Sequence, residues 1–184
     1  QSTSVLIKFI DQAEENRDDK NICWGTIQIA DKSFQIRYYN EAKTYYRKAL
    51  SIAEKNNATF YKSVIYRGLS DVALALQDDE ESSAYLEKCL PLIKEWEEST
   101  NLPLTMLTKA KILIYQNKYE QANNELSTAR SQFEHLGDEL GAAITLHLIG
   151  QLFFKQKKWK LSESYFNKSL NLFEGYEFNS YRLE

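Results

Sequence analysis

The sequence predicts an all-α protein built from helix-turn-helix units that repeat every 40 residues. Two observations carry this prediction. The 184 residues include only 6 Gly and 2 Pro, too few for the closely spaced turns of an all-β fold. One residue pattern also returns four times at a fixed spacing of 40, with no insertion, which is the mark of a repeat architecture.

Three positions of the repeat always hold a small residue, and a fourth always holds a large one. The small positions are Ala30/Ser70/Ala110/Gly150, Ala42/Ser82/Ala122/Ser162 and Ala49/Cys89/Ala129/Ser169, and the large position is Tyr46/Leu86/Leu126/Phe166. Helix axes can approach to about 8–10 Å where side chains at the crossing are small. Ala42, Tyr46 and Ala49 lie on one helical face. We therefore expect this face of each second helix to pack tightly on its neighbours.

The repeat assigns the helices in chain order. Residues 1–18 form the second helix of a preceding repeat, because Leu6 aligns with Tyr46 and Ile10 with Leu50. Four repeats follow at 19–58, 59–98, 99–138 and 139–178, and 179–184 begins another. First helices are predicted near 19–36, 59–77, 102–117 and 140–156, and second helices near 40–55, 80–98, 120–136 and 160–174. Since both ends fall inside a repeat, residues 1–184 are expected to be one piece of a longer array.

The segments between helices carry helix-stop and helix-start residues. Gly137 suits the left-handed position that follows a helix, and Asp138 suits an N-cap. Pro103 falls in a first turn, where proline is tolerated. Pro91 lies inside a predicted helix, where it should cause a kink.

Composition narrows the possible functions. The formal charge of −3 gives no sign of the clustered basic face of a nucleic-acid-binding domain. No run of about 18 apolar residues suggests a membrane span. Cys23 and Cys89 form no CxxC motif, and we expect reduced thiols in a cytoplasmic protein. No leader peptide is visible at the start of the sequence.

Few residues in the sequence are candidates for catalysis, metal binding or nucleic-acid binding. Only His135 and His147 are present, without a metal-ligand pair or an orienting partner for a catalytic base. The acidic runs, such as Asp78 to Glu81, lack the calcium-loop pattern. The segment from Lys155 to Lys160 combines lysines with Trp159, which can suit nucleic acid. It is also an inter-helix turn with Trp159 in a packing position, and we prefer that structural interpretation. We expect no enzyme activity, no cofactor and no metal.

The repeat resembles the tetratricopeptide (TPR) signature of alternating small and aromatic residues. The resemblance rests on Ala30, Tyr39, Ala42, Tyr46 and Ala49, and on Gly150, Trp159, Ser162, Phe166 and Ser169. The usual TPR unit has about 34 residues, so a period of 40 is similar to the long repeats of MalT-like regulators, Rap phosphatases, PlcR-like peptide sensors and Pins/LGN adaptors. The resemblance implies a TPR-like α-solenoid, a right-handed superhelix of antiparallel helix pairs whose first helices line a groove.

The same resemblance implies which residues line that groove. The candidate partner-binding residues are Trp24, Asp31, Arg67, Asp71, Lys111, His147, Gln151 and Phe154. The carboxylate clamp of chaperone-binding members is missing, since Ile27 and Asp31 stand in its positions. The expected function is a protein-binding or peptide-binding scaffold in signal transduction, with no direct nucleic-acid or membrane contact. The alternative is a sensor or oligomerisation arm of a larger regulator or ATPase, able to form a homodimer. Rap-type phosphatase activity would require a helical domain that this sequence lacks.

Overall fold

The structure, a computed structural model, describes residues 3–93 and 101–180, with the backbone alone for residues 176–180. The described segments form α-helices and short turns and contain no strand. The chain divides into two compact units, Gln1–Glu95 and Trp96–Glu184. The predicted all-α fold of antiparallel helix pairs is confirmed.

Each unit is a row of helices in which successive helices pack on each other. Unit 1 contains α1 (Thr3–Glu15), α2 (Asp19–Gln35), α3 (Tyr39–Lys55), α4 (Thr59–Ala75) and α5 (Asp79–Ile93). Unit 2 contains α6 (Asn101–Tyr115), α7 (Tyr119–Leu136), α8 (Glu139–Lys155) and α9 (Trp159–Ser180). In the part of the chain that is described, no helix is both long and apolar enough to cross a bilayer.

The helix bounds agree with the 40-residue pattern except near the end of the chain. Each first helix begins within one residue of its predicted start. α5 contains Pro91 and continues to Ile93, and residues 94–98 of its predicted extent lie outside the described residues. α9 runs to Ser180, so the predicted end near 174 is too early. Residues 179 and 180 belong to α9, and a further repeat over 179–184 stays a prediction.

The turns between helices follow one geometry at intervals of 20 residues. Each places a single residue at positive φ, and these residues are Arg17, Arg37, Asn57, Gln77, Asn117, Gly137 and Lys157. At the α2–α3 turn, Arg37 N donates to Phe34 O (3.0 Å) and Tyr38 N donates to Ser33 O (2.8 Å). This is the Schellman arrangement, which satisfies the last carbonyl groups of a helix. As predicted, Gly137 takes the left-handed position and Asp138 caps α8 by accepting from Gly141 N.

The small positions of the repeat lie buried where helices pack on each other. All twelve residues are buried. Where the residue is Ser, its hydroxyl donates to a backbone carbonyl of the facing helix: Ser70 to Ser82 O (2.7 Å) and Ser169 to Ala143 O (2.8 Å). Small size therefore permits the approach, and a hydrogen bond removes the cost of burying the hydroxyl.

Candidate partner-binding site

The eight predicted groove residues lie on first helices and fall into two groups, one in each unit. Trp24 and Asp31 lie on α2, and Arg67 and Asp71 on α4, all in unit 1. In unit 2, Lys111 lies on α6, and His147, Gln151 and Phe154 lie on α8.

In unit 1, Asp31, Arg67 and Asp71 meet around the hydroxyl of Tyr46, and we call these four residues the unit 1 polar cluster. Tyr46, on α3, donates its hydroxyl hydrogen to Asp31 Oδ1. Arg67 Nη1 lies 3.9 Å from Asp71 Oδ2, which is long for an ion pair. Arg67 Nε is buried with no hydrogen-bond acceptor. The guanidinium group therefore keeps at least one donor, the Nε–H, that no described residue satisfies.

The surroundings of the unit 1 polar cluster change the acidity of two of its groups. Burial raises the pKa of Asp31, while the Tyr46 hydrogen bond and the Arg67 charge oppose that rise and the Asp71 charge adds to it. Burial, followed by the Asp31 charge, raises the pKa of Tyr46 far above its usual range. Tyr46 is therefore a permanent hydrogen-bond donor, and Asp31 holds a proton more strongly than an exposed aspartate does.

Tyr46 is the residue of this site that the groove alignment missed. The 40-residue pattern assigns Tyr46 to the large packing position, and its ring packs against Gly68 of α4. A signal was present in the sequence, because the other three repeats carry Leu86, Leu126 and Phe166 at this position. A hydroxyl at an otherwise apolar, buried position needs an acceptor, and Asp31 supplies it.

Trp24 lies at the exposed edge of unit 1 and packs on α1. Its ring meets the Phe9 ring edge-on, with centroids 5.5 Å apart. The indole is thus held by an intramolecular contact and still presents surface to solvent. Such a pre-positioned aromatic side chain is typical of binding hot spots.

In unit 2, three of the predicted residues lie on α8 and contact one another or aromatic residues of α9. Nε2 of His147 lies 2.9 Å from Nε2 of Gln151, and its ring centroid lies 5.1 Å from that of Phe166. The surrounding protein lowers the pKa of His147 through desolvation, which favours the neutral ring at pH 7. Lys111, on α6, is half-buried. Phe154 meets the Trp159 ring edge-on at 5.1 Å.

Neither cysteine has the environment of a nucleophile. Cys23 and Cys89 form no disulfide and are buried. Cys23 donates to Ala49 O, and Cys89 donates to Ser63 O. Burial raises the pKa of Cys23 to about 11, so its reactive thiolate is scarce at pH 7.

Two family models match the sequence, one in each half of the chain. A family model described as tetratricopeptide repeat matches residues 102–175, and a second model of the same description matches residues 28–56. Together they cover more than half of the sequence. The chain belongs to the tetratricopeptide-repeat family. The family match indicates a protein-interaction module, and no curated protein sequence matches this TPR protein.

Two solved structures resemble the TPR protein in fold. BtubC (BKLC) from P. vanneervenii aligns with a TM-score of 0.71 and 17% identity over 94% of this chain and 72% of its own. A Rap protein complexed with Competence and Sporulation Factor aligns with a TM-score of 0.78 and 16% identity over 93% of this chain. The TPR protein spans 48% of that Rap chain, about half its length. At these identities the likeness establishes the fold alone.

Proposed function

We propose that this TPR protein is a non-catalytic scaffold that binds a protein or peptide partner, and that the unit 1 polar cluster is its main contact. The observation that carries the proposal is Arg67, whose side chain is half-buried between two helices and has a buried Nε without an acceptor. A donor left unsatisfied in this way costs stability. The Arg67 side chain is 19% exposed, so a partner's backbone carbonyl or carboxylate could accept from the accessible part of its guanidinium group and offset part of that cost on binding.

The other groups of unit 1 favour a peptide-like ligand. Asp31 and Asp71 place acceptors beside Arg67, so the cluster offers donors and acceptors at neighbouring points, as a peptide backbone requires. Trp24, on the same helix as Asp31, offers an apolar surface for a side chain. In unit 2, Lys111, His147, Gln151 and Phe154 offer a second mixed surface. A role in signal transduction is part of this proposal, by analogy with the similarly folded Rap protein complexed with Competence and Sporulation Factor. Two cysteines that form no disulfide support a cytoplasmic location.

The decisive experiment reverses the charge of Arg67. A peptide selected from a random display library on the wild-type chain is titrated by calorimetry into the wild type, Arg67→Glu and Lys48→Glu. Lys48 is an exposed lysine on α3, and its replacement changes the net charge equally. We expect Arg67→Glu to weaken binding at least about tenfold, which is about 1.4 kcal/mol, and Lys48→Glu to change it less than about twofold.

Circular dichroism of the same proteins separates binding from folding. The proposal requires that helix content be unchanged in Arg67→Glu. If binding and helix content fall together, Arg67 is a structural residue and the proposal loses its support. A peptide whose affinity is insensitive to Arg67→Glu but falls with Lys111→Glu would move the site to unit 2.

A further inference from the structure

Within the residues of unit 2 that the structure describes, one helix face is open where the corresponding faces of α3 and α7 are covered. The face consists of Trp159, Phe166, Leu170 and Phe173 on α9, with Phe154 of α8 beside Trp159, and we call it the open α9 face. These α9 positions are separated by 7, 4 and 3 residues, so they lie on one side of the helix. Trp159 is 56% exposed, Leu170 is 54% exposed and Phe154 is 54% exposed. Phe166 and Phe173 are half-buried.

The same face of α3 is covered by the next first helix. Its residues are Tyr39, Tyr46, Leu50 and Ala53, which pack with Ile65, Leu69 and Val72 of α4. Tyr46 is 3% exposed, and its ring lies on Gly68. In unit 2, α8 likewise covers the α7 face, where Leu126 and Phe133 are fully buried. The covering helix is thus a regular part of the repeat.

Nothing in the described part of unit 2 covers α9 in this way. The preceding helices end in turns at intervals of 20 residues, and the next turn would fall at 177. α9 instead stays helical to Ser180, so up to that residue the chain does not turn back. Phe166 turns toward its own repeat, where its ring packs on Gly150 and near His147. The open α9 face therefore keeps the shape of a helix-binding surface.

The charges beside this face indicate the chemistry of the missing helix. Lys155, Lys157, Lys158 and Lys160 are all exposed, and none is ion-paired with any residue that the structure describes. The three-residue turn makes α4 antiparallel to α3, so the end of α4 lies beside the start of α3. A helix docked on α9 in the same way would place its C-terminal end beside the four lysines. Carboxylates and the negative end of the helix dipole are both stabilised there.

From this complementarity we propose that the open α9 face binds an amphipathic helix of a partner protein, with acidic residues in or after its last turn. The helix takes the position that α4 takes on α3 and α8 takes on α7. This surface is separate from the unit 1 polar cluster, and either proposal can fail without the other.

The test uses Trp159 as a fluorescent reporter in the full chain. Replacing Trp24 and Trp96 by Phe leaves Trp159 as the single tryptophan. The probe is a synthetic peptide of residues 59–81, which contains α4 and the acidic run Asp78 to Glu81. We expect emission typical of exposed indole without peptide, and a saturable blue shift when peptide is added. A peptide with Leu69 and Val72 replaced by Ser keeps the charges and should give no shift.

Two matched pairs of variants locate the binding. Leu170→Asp should weaken peptide binding at least about tenfold, a change of about 1.4 kcal/mol. Leu161→Asp, on the same helix but on its other side and also exposed, should change it less than about twofold. Lys158→Glu/Lys160→Glu should weaken binding and remove its salt dependence, whereas Lys48→Glu/Lys118→Glu should not. Arg67→Glu should have no effect.

Three results would overturn the proposal that the open α9 face binds a helix. The absence of a Trp159 shift at about 1 mM peptide, the limit of weak specific binding, overturns the proposal. Blue emission without peptide overturns it in favour of this chain's own further residues, or of a second copy if the emission depends on concentration. A shift given by phosphatidylserine vesicles or oligo-dT and retained in Leu170→Asp would identify a polyanion site instead.

Discussion

At the scale of single residues, the chemistry of this TPR protein is concentrated where one repeat departs from the others. Tyr46 is the single hydroxyl-bearing residue among the four large packing residues, and its hydrogen bond ties α3 to Asp31 on α2. The periodic pattern predicted both positions, since both recur every 40 residues. It could not predict their hydrogen bond, because that depends on how the two side chains meet across a helix pair.

The raised pKa of Asp31 has a consequence for stability that depends on pH. Because the folded protein holds this proton more strongly than the unfolded chain, the Asp31 contribution to stability is complete below the unfolded pKa of about 3.9. It falls as the pH rises through the raised pKa of the folded state. Asp31→Asn keeps an acceptor for Tyr46 and removes this titration. We expect the free energy of unfolding of Asp31→Asn, relative to wild type, to increase between about pH 4 and pH 7. Urea titrations that give a constant or decreasing difference would contradict the assignment.

Two glycines in helices should respond in opposite ways to replacement by alanine. A Cβ at Gly141 would overlap the ring of Phe133, which is fully buried. We expect Gly141→Ala to destabilise the protein by about 1–3 kcal/mol through overpacking. A Cβ at Gly175 meets nothing within 4 Å, so Gly175→Ala should stabilise α9 by about 0.5–1 kcal/mol. Equal effects in chemical denaturation would show that the α7–α8 contact is looser than described.

At the scale of helices and turns, the sequence predicted where helices stop better than it predicted how they stop. The sequence identifies Gly137 as a turn residue, and it takes positive φ, as does Asn57. Arg37, Gln77 and Lys157 take the same conformation and carry no sequence signal for it. At these turns the packing of the two flanking helices, each of 15 residues or more, outweighs the local preference of the residue, which costs about 1–2 kcal/mol in the left-handed region.

This cost predicts an order among glycine substitutions at the turns. Arg37→Gly should stabilise the protein by about 0.5–1 kcal/mol, because relief of the left-handed conformation exceeds the entropy that glycine adds to the unfolded chain. Asn57→Gly should gain only a few tenths of a kcal/mol, because asparagine tolerates this conformation. Thermal or urea unfolding of the two variants measures the order directly, and a larger gain at Asn57 would be inconsistent with the turn geometry.

At the scale of the whole molecule, the 40-residue period was enough to predict the all-α class, the helix pairs and the family. The period could not predict where the pattern of turns ends, because α9 continues past the position of the next turn. Trp159 was expected in a packing position and is largely exposed for the same reason, since its covering helix is absent from the described part of unit 2. Arg67 and Asp71 lie on the first helix α4, and the column alignment contains no information on which hydrogen-bond donors stay unsatisfied.

We propose that this TPR protein presents surfaces for a different molecule. Light scattering of the isolated chain over a wide range of concentrations tests this most directly. A mass of one chain at every concentration is the predicted result, since neither the unit 1 polar cluster nor the open α9 face is expected to pair with itself. A concentration-dependent dimer that Leu170→Asp or Arg67→Glu dissociates would contradict the account and assign those surfaces to self-association.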